Sequence, residues 1–399
     1  MKIKSISKQA LAVVLSLAVL ASTLMLNTLS VFAGVNGVWD GTPAASLATK
    51  DGTDVNAGSA DNPYLISCAA ELAYVGEQAK NAQTAGKYYK LTQDIVLNNT
   101  EVDSGNWYDD TYNPIQWPYS GTGAAFAGTL DGDGHVIKGV YVNTTASVAG
   151  LFDTVDGATI KNLGIESSYY MSTNFHEDWK HYNSSIGAIA AKTYNSGKVN
   201  TFNNCYVIDT VLNGWEAGAL VGTTQSSDTL NITDCYSSVS IGLPPERGDA
   251  RSNMKGAFLG TGGGGATFTR CYSVDSYQYV GYIGSSPIST TGCYGLNSTS
   301  GVTVVSLDNM KGRVTTTTMS GLFSEGANSA WVALVGETPK LKVFNPTEKT
   351  EWDGTFYSAP GLENPTSPNG ETNPYLISCA AELAYVGEQA KNAQTAGKY

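Results

Sequence analysis

A chain of 399 residues with a formal net charge of −12 and only 15% charged residues offers no basic face for nucleic acid. It has equally little for charge-driven docking on anionic lipid. The 44 glycines, and 23 tyrosines against three histidines, place it with weakly charged extracellular scaffolds.

Lys2, Lys4 and Lys8 precede an apolar run from Ala10 to Leu26, and Val31-Phe32-Ala33 fits a small-residue cleavage site. Residues 1–33 therefore read as a secretory signal peptide, which places the mature chain outside the cell with no membrane span. Residues 34–61 are rich in Gly, Ala, Thr and Asp and read as a linker. In 62–88, Ser67 can cap a helix whose apolar positions Ala69, Leu72, Val75, Ala79 and Ala82 recur at helical spacing, with Gly86 ending it. Such a helix would cap the open end of whatever sheet follows. Residues 89–147 open that sheet: a strand, an aromatic and acidic loop from Asn98 to Ala125, then strand-turn-strand. Carboxylates in the loop (Glu101, Asp103, Asp109, Asp110) raise calcium, but their spacing matches no calcium loop. No cofactor is expected. The run Asp131-Gly132-Asp133-Gly134-His135 reads as a tight bend.

From 148 to 300 one pattern returns five times: VAGLFD, IGAIAA, AGALVG, KGAFLG and VGYIGS, with Gly150, Gly187, Gly218, Gly256 and Gly281 in common. Each is followed by a second signature: IKNLGI, FNNCYV, ITDCYS, FTRCYS and TTGCYG. Apolar runs of three to five residues bounded by Gly, Asn, Asp, Ser and Thr suit short strands. None could bury its apolar side alone, so equivalent strands should stack in parallel at about 4.8 Å. The fold class expected is all-β, a right-handed parallel β-helix solenoid with an N-terminal capping α-helix. Its interior would hold a row of Leu163, Cys205, Cys235, Cys271 and Cys293, and another of Leu151, Ile189, Leu220, Phe258 and Tyr282. Asn162, Asn204 and Asp234 would supply left-handed bends bonded along the stack. Stacking explains the recurrent cysteines as free buried thiols without invoking disulfides.

This pairing of a Gly-apolar-apolar-Gly strand with an Asn/Asp-Cys-Tyr strand resembles the GLUG-motif repeats of bacterial surface proteins, including segments beside the catalytic region of some IgA-cleaving metallopeptidases. The run from Asn62 to Val142 (NPYLISCAAELAYVGEQ…FAGTLDGDGHVIKGVYV) looks like the usual opening of such β-helices. Over residues 38–346 the resemblance implies an exported, repetitive, often adhesive protein, and it names no active site. Residues 301–346 look like the family's closing segment, in which a Trp and a Pro-x-Leu strand finish the stack. Residues 347–372 are a Pro-, Thr- and Asn-rich linker, and 373–399 repeat 62–88 without a change, so a second copy of the 62–346 domain is expected to begin there.

Two insertions, Glu166 to Ser185 and Gly242 to Met254, follow the second signature of their units and should project from one side as a binding surface. The cluster from His176 to His181 invites a zinc reading, but its histidines stand five apart where a zinc-peptidase helix needs four. No metal site and no catalytic residue is assigned. Parallel β-helix lyases and glycosidases require clustered carboxylates that the repeat strands lack. Two roles remain: a non-catalytic stalk or adhesin, or a carbohydrate-active or carbohydrate-binding module. The partner is an extracellular glycan or a host or microbial surface protein. Candidate contacts are the rings of Trp107, Trp117, Trp179 and Trp215, with His176, Arg247 and Arg251 in the insertions.

Overall fold

The computed structural model describes residues 39–98, 114–176, 181–182, 184–242, 254–283, 287–297, 301–311, 315–334 and 337–345. Residues 1–33, 347–372 and 373–399, expected as signal peptide, linker and start of a second copy, lie outside them. The fold is all-β with few helices. Among the described residues seventeen strands join in one sheet and nine in another. Every pairing is parallel except three short ones: Ala48–Thr49 with Tyr64–Ile66, Phe175–His176 with His181–Tyr182, and Trp331–Val332 with Lys340–Leu341.

In the larger sheet Thr129–Lys138, Thr159–Glu166, Val199–Asn203, Thr229–Thr233, Gly265–Thr269 and Ile288–Thr291 lie side by side in register. Equivalent residues of successive repeats are thus direct neighbours. Leu130, Ile160, Phe202, Ile232 and Phe268 form one buried column, and Leu163, Cys205, Cys235, Cys271 and Cys293 another. Burying each aliphatic or aromatic side chain contributes about 1.5–3 kcal/mol. The thiols are free. Each of the four points at a backbone carbonyl of the preceding unit, from Cys271 Sγ to Ile232 O at 3.5 Å to Cys235 Sγ to Phe202 O at 3.8 Å. Burial pushes the Cys235 thiol well above its ordinary range, as expected of a small apolar filler.

A corner separates each of these strands from the next. Asn162, Asn204 and Asp234 occupy it in the left-handed region, with φ of 53°, 52° and 51°. Short polar side chains tolerate that backbone and bond locally. Asn204 Nδ2 donates to Asn162 Oδ1 (3.0 Å), and Asn162 Nδ2 to Asp131 Oδ1 (2.8 Å). Arg270 takes the same conformation at φ 51°. The strain is offset by its bidentate bonds to Asp234, 2.8 Å from Nε and 2.7 Å from Nη2.

The smaller sheet folds sharply at the glycine row. A Cβ on Gly187 would lie 2.2 Å from the Ala190 carbonyl oxygen and 2.7 Å from Gly222 N, so only glycine fits. Gly187, Gly218 and Gly256 are direct partners, but Gly281 is not their equivalent. Gln278 pairs with Gly256, Val280 with Leu259 and Tyr282 with Thr261, which puts Gly281 level with Gly260. The inward position expected for Tyr282 is taken by Tyr279, whose ring packs on Phe258 and Phe268. Its hydroxyl lies 2.7 Å from the Cys271 carbonyl oxygen.

Three further expectations are corrected. Residues 39–61 are folded and not a bare linker: Trp39 is buried and packs on Trp117, and Ala48–Thr49 closes the outer edge of Tyr64–Ile66. The helix α1 (Ala69–Lys80) covers the end strand Ala125–Phe126 of the smaller sheet and not the edge of Tyr64–Ile66. It is the crossover between the parallel strands Tyr64–Ile66 and Tyr88–Leu91. Its start is held by Glu71, which reaches back to the Ser67 amide (2.6 Å) and hydroxyl (2.8 Å), while Cys68 is the N-cap. It ends at Lys80, six residues before Gly86. Finally, in 301–346 the Trp and the Pro-x-Leu strand do not finish the stack. Among the described residues Val302–Val304 adds its last strand, pairing with Cys293–Gly295, while Trp331–Val332 and Lys340–Leu341 pair in a separate two-stranded sheet of the segment that returns along the outside.

Candidate functional site

Chemistry on this scaffold has to come from outward side chains, and the larger sheet presents two outward faces, one on each side of the corner. After the corner, the Tyr of every Cys-Tyr pair points out. Tyr206, Tyr236, Tyr272 and Tyr294 are successive partners. Their rings stack: Tyr206 on Tyr236 at 4.8 Å, and Tyr236 on Tyr272 at 5.2 Å and 1°. The returning segment covers them with Met310, Met319, Leu322, Trp331 and Leu341, forming a second buried cluster. Trp331 packs on Tyr236 and Tyr272 and donates from Nε1 to Asp234 Oδ1 at 2.8 Å. Arg270 also pairs with Glu325 at 2.8 Å. Tyr272 donates to the Pro339 carbonyl at 2.6 Å, and Tyr294 Oη accepts from the Gly321 amide at 2.6 Å. Nothing in the local pattern of the closing segment signals these contacts.

Before the corner the outward positions form two rows in register. One runs Thr129, Thr159, Thr201, Asn231, Thr267 and Ser289, the other Asp131, Lys161, Asn203, Thr233, Thr269 and Thr291. Charge is confined to the first strands, where Lys161 pairs with Asp131 (3.0 Å) and Lys90 with Asp133 (2.9 Å). Burial of Asp131 works against ionisation, but Asn162 and Lys161 outweigh it and hold the carboxyl below its usual range. The other four strands carry only hydroxyl and amide groups in these rows. These rows are legible in the sequence as the triplets TFN, NIT, TFT and STT.

A third polar group sits in the fold of the smaller sheet. Ser185 Oγ and Thr223 Oγ1 both donate to Glu216 Oε2, at 2.7 and 2.5 Å. Ser185 Oγ and Thr223 Oγ1 also lie 2.9 Å apart, so the three side chains form one hydrogen-bonded cluster. Behind the tyrosine face, burial pushes the Asp275 carboxyl up to about 6, against bonds from the Val239 amide and the Ser237 and Ser273 hydroxyls.

The expected contact residues fare differently. Trp117, 1% exposed, donates from Nε1 to the Leu151 carbonyl at 2.9 Å, and Trp215 is 6% exposed. Both are core or near-core rings, so neither is a platform for sugar stacking. Trp107, Trp179, Arg247 and Arg251 lie outside the described residues, as do the loop carboxylates. His176 is in a strand, its backbone paired with that of His181. The first insertion is shorter than expected: Tyr169–Ser172 is a regular strand between Tyr141–Thr144 and Tyr206–Asn213. That strand and Tyr236–Gly242 are both neighbours of Tyr206–Asn213; residues 243–253 of the second insertion lie outside the described residues. Among the described residues, no three or more His, Cys, Asp or Glu are grouped to hold a metal ion, and no helix is long and apolar enough to cross a membrane.

No family model matches the chain. It is 30% identical over 178 residues, 44% of its length, to a halomucin of Haloquadratum walsbyi, and spans 2% of that protein. It is 30% identical over 114 residues, 28% of its length, to a protein of Evansella cellulosilytica described as a Gly-rich membrane protein, and spans 12% of it. Among solved structures it is similar to an immunoglobulin-A1-protease-like protein of Bacteroides ovatus. That likeness has a TM-score of 0.39 and 17% identity, and covers 62% of this chain and 69% of the other.

Proposed function

We propose that residues 62–346 form one right-handed parallel β-helix module of an exported, GLUG-type repetitive cell-surface protein, which works without catalysis as a stalk or adhesin. The observation that carries this reading is the register. Each repeat pairs strand for strand with the next, so length grows by about 4.8 Å per repeat with no change of architecture. The signal-like N-terminus and the exact return of 62–88 at 373–399 support export and tandem arrangement. Spanning 2% of a halomucin and 12% of a Gly-rich membrane protein fits a module used within longer chains. The partner is an extracellular glycan or surface protein, met by loops and side faces. Two measurements test the reading: protease shaving of intact source cells, and small-angle scattering of the purified chain. Release of its peptides by shaving and an elongated scattering profile are expected. A protein protected inside the cell, or a spherical particle, would overturn it.

A further inference from the structure

We propose that the outward face of Val199–Asn203, Thr229–Thr233, Gly265–Thr269 and Ile288–Thr291 docks on the flat, ordered surface of an uncharged crystalline polysaccharide. The inference builds on the surface-module reading and assigns it a contact face. Thr201, Asn203, Asn231, Thr233, Thr267, Thr269, Ser289 and Thr291 form two rows of four on adjacent strands. Backbone geometry spaces them about 4.8 Å across strands and about 6.6 Å along each strand, giving a two-dimensional array of donors and acceptors. Phe202, Ile232 and Phe268 are buried beneath the array and anchor its strands. Five of the eight are threonines, whose β-branched side chains are stiff on a strand, so little freedom remains to be lost on contact. Within the protein they bond little: among the described residues Ser289 Oγ donates to Thr267 Oγ1 at 3.2 Å, and no other hydrogen bond of these eight side chains is found.

Charge selects the partner. On a chain of net charge −12, a face with no charged member gives a polycation or polyanion nothing to pair with. The neutral face is matched by a neutral partner. No aromatic side chain stands in the rows, so a single flexible sugar chain could not be gripped by ring stacking. One exposed hydrogen bond has little net worth. Useful affinity needs many formed at once against a partner already rigid, and a crystalline hydroxyl surface meets both demands.

The test is co-sedimentation of the full chain with microcrystalline cellulose and with α-chitin, at 0.15 M and 1 M NaCl. The folded protein should pellet with at least one polymer, equally at both salt concentrations. Thr233→Lys combined with Thr267→Lys should cut bound protein tenfold or more with the circular dichroism spectrum unchanged. Val55→Lys, on an exposed site elsewhere, should not. Should the first pair lose the fold, Thr201→Glu with Thr269→Glu carries the same expectation. Absence of pelleting on both polymers, binding abolished by 1 M NaCl, or binding that survives the substitutions overturns the proposal. So does adsorption to ice in place of either polymer. Each of these leaves cell-surface release and particle shape untouched, so the two readings fail separately.

Discussion

One sheet, bent at a row of left-handed residues, shows opposite treatments of its two outward faces. Past the corner, a row of four tyrosines is roofed by the returning segment and becomes core. Before it, eight Thr, Asn and Ser side chains stay open to solvent or half-buried. The difference follows from surface chemistry. A contiguous aromatic row left in water is a sticky patch, whereas hydroxyls and amides on a β-sheet are well solvated.

The comparison can be broken most directly at its roof. Trp331→Ala should cost about 3–5 kcal/mol, because the ring is buried on two tyrosines and bonded to Asp234. Urea unfolding followed by circular dichroism reads this, and a loss below about 1 kcal/mol would mean that the roof is dispensable. Behind the same face, Asp275 gives a pH signature. Its carboxyl is raised to about 6 in the folded state against 3.8 for the ordinary group, so between those values the native state binds more protons than the unfolded one. Stability should therefore be fully favoured below about pH 4 and fall by up to about 3 kcal/mol as pH rises through 6. Asp275→Asn should flatten that slope in thermal melts taken across pH 4–8. At the corner itself, Arg270→Ala should cost about 2 kcal/mol, since Asp234 is left with a buried carboxylate stripped of its bidentate partner. The smallest effect belongs to the bare face: Thr267→Lys should change unfolding free energy by less than about 0.5 kcal/mol. A large loss there would make the face structural.

Much of this was readable beforehand, for a physical reason. In a stacked array, neighbours in space are equivalents in sequence, so the Cys column and the Asn/Asp corners announce themselves as period. What hid was whatever breaks the period. The fifth unit shortens around Tyr279, so alignment on its glycine misplaces Gly281 and Tyr282 relative to the observed register. Trp331 meets Asp234 across 97 positions, a contact that no local pattern encodes. Trp117 and Trp215 looked like exposed platforms only because tryptophan in a loop-rich stretch carries no mark of burial. The Thr and Asn rows carry no mark of a site in the sequence, because polar residues on strands read as ordinary solvent-facing positions.

The roof also acts as a ruler. Gly321 sits at Tyr294, Trp331 bridges Tyr272 and Tyr236, Phe344 meets Tyr206 edge-on, and the Val343 carbonyl approaches Gly134. Adding or deleting a single repeat would slide every one of these marks off its partner. A stack of similar units, free in principle to drift in number through replication slippage, is thereby tied to one count.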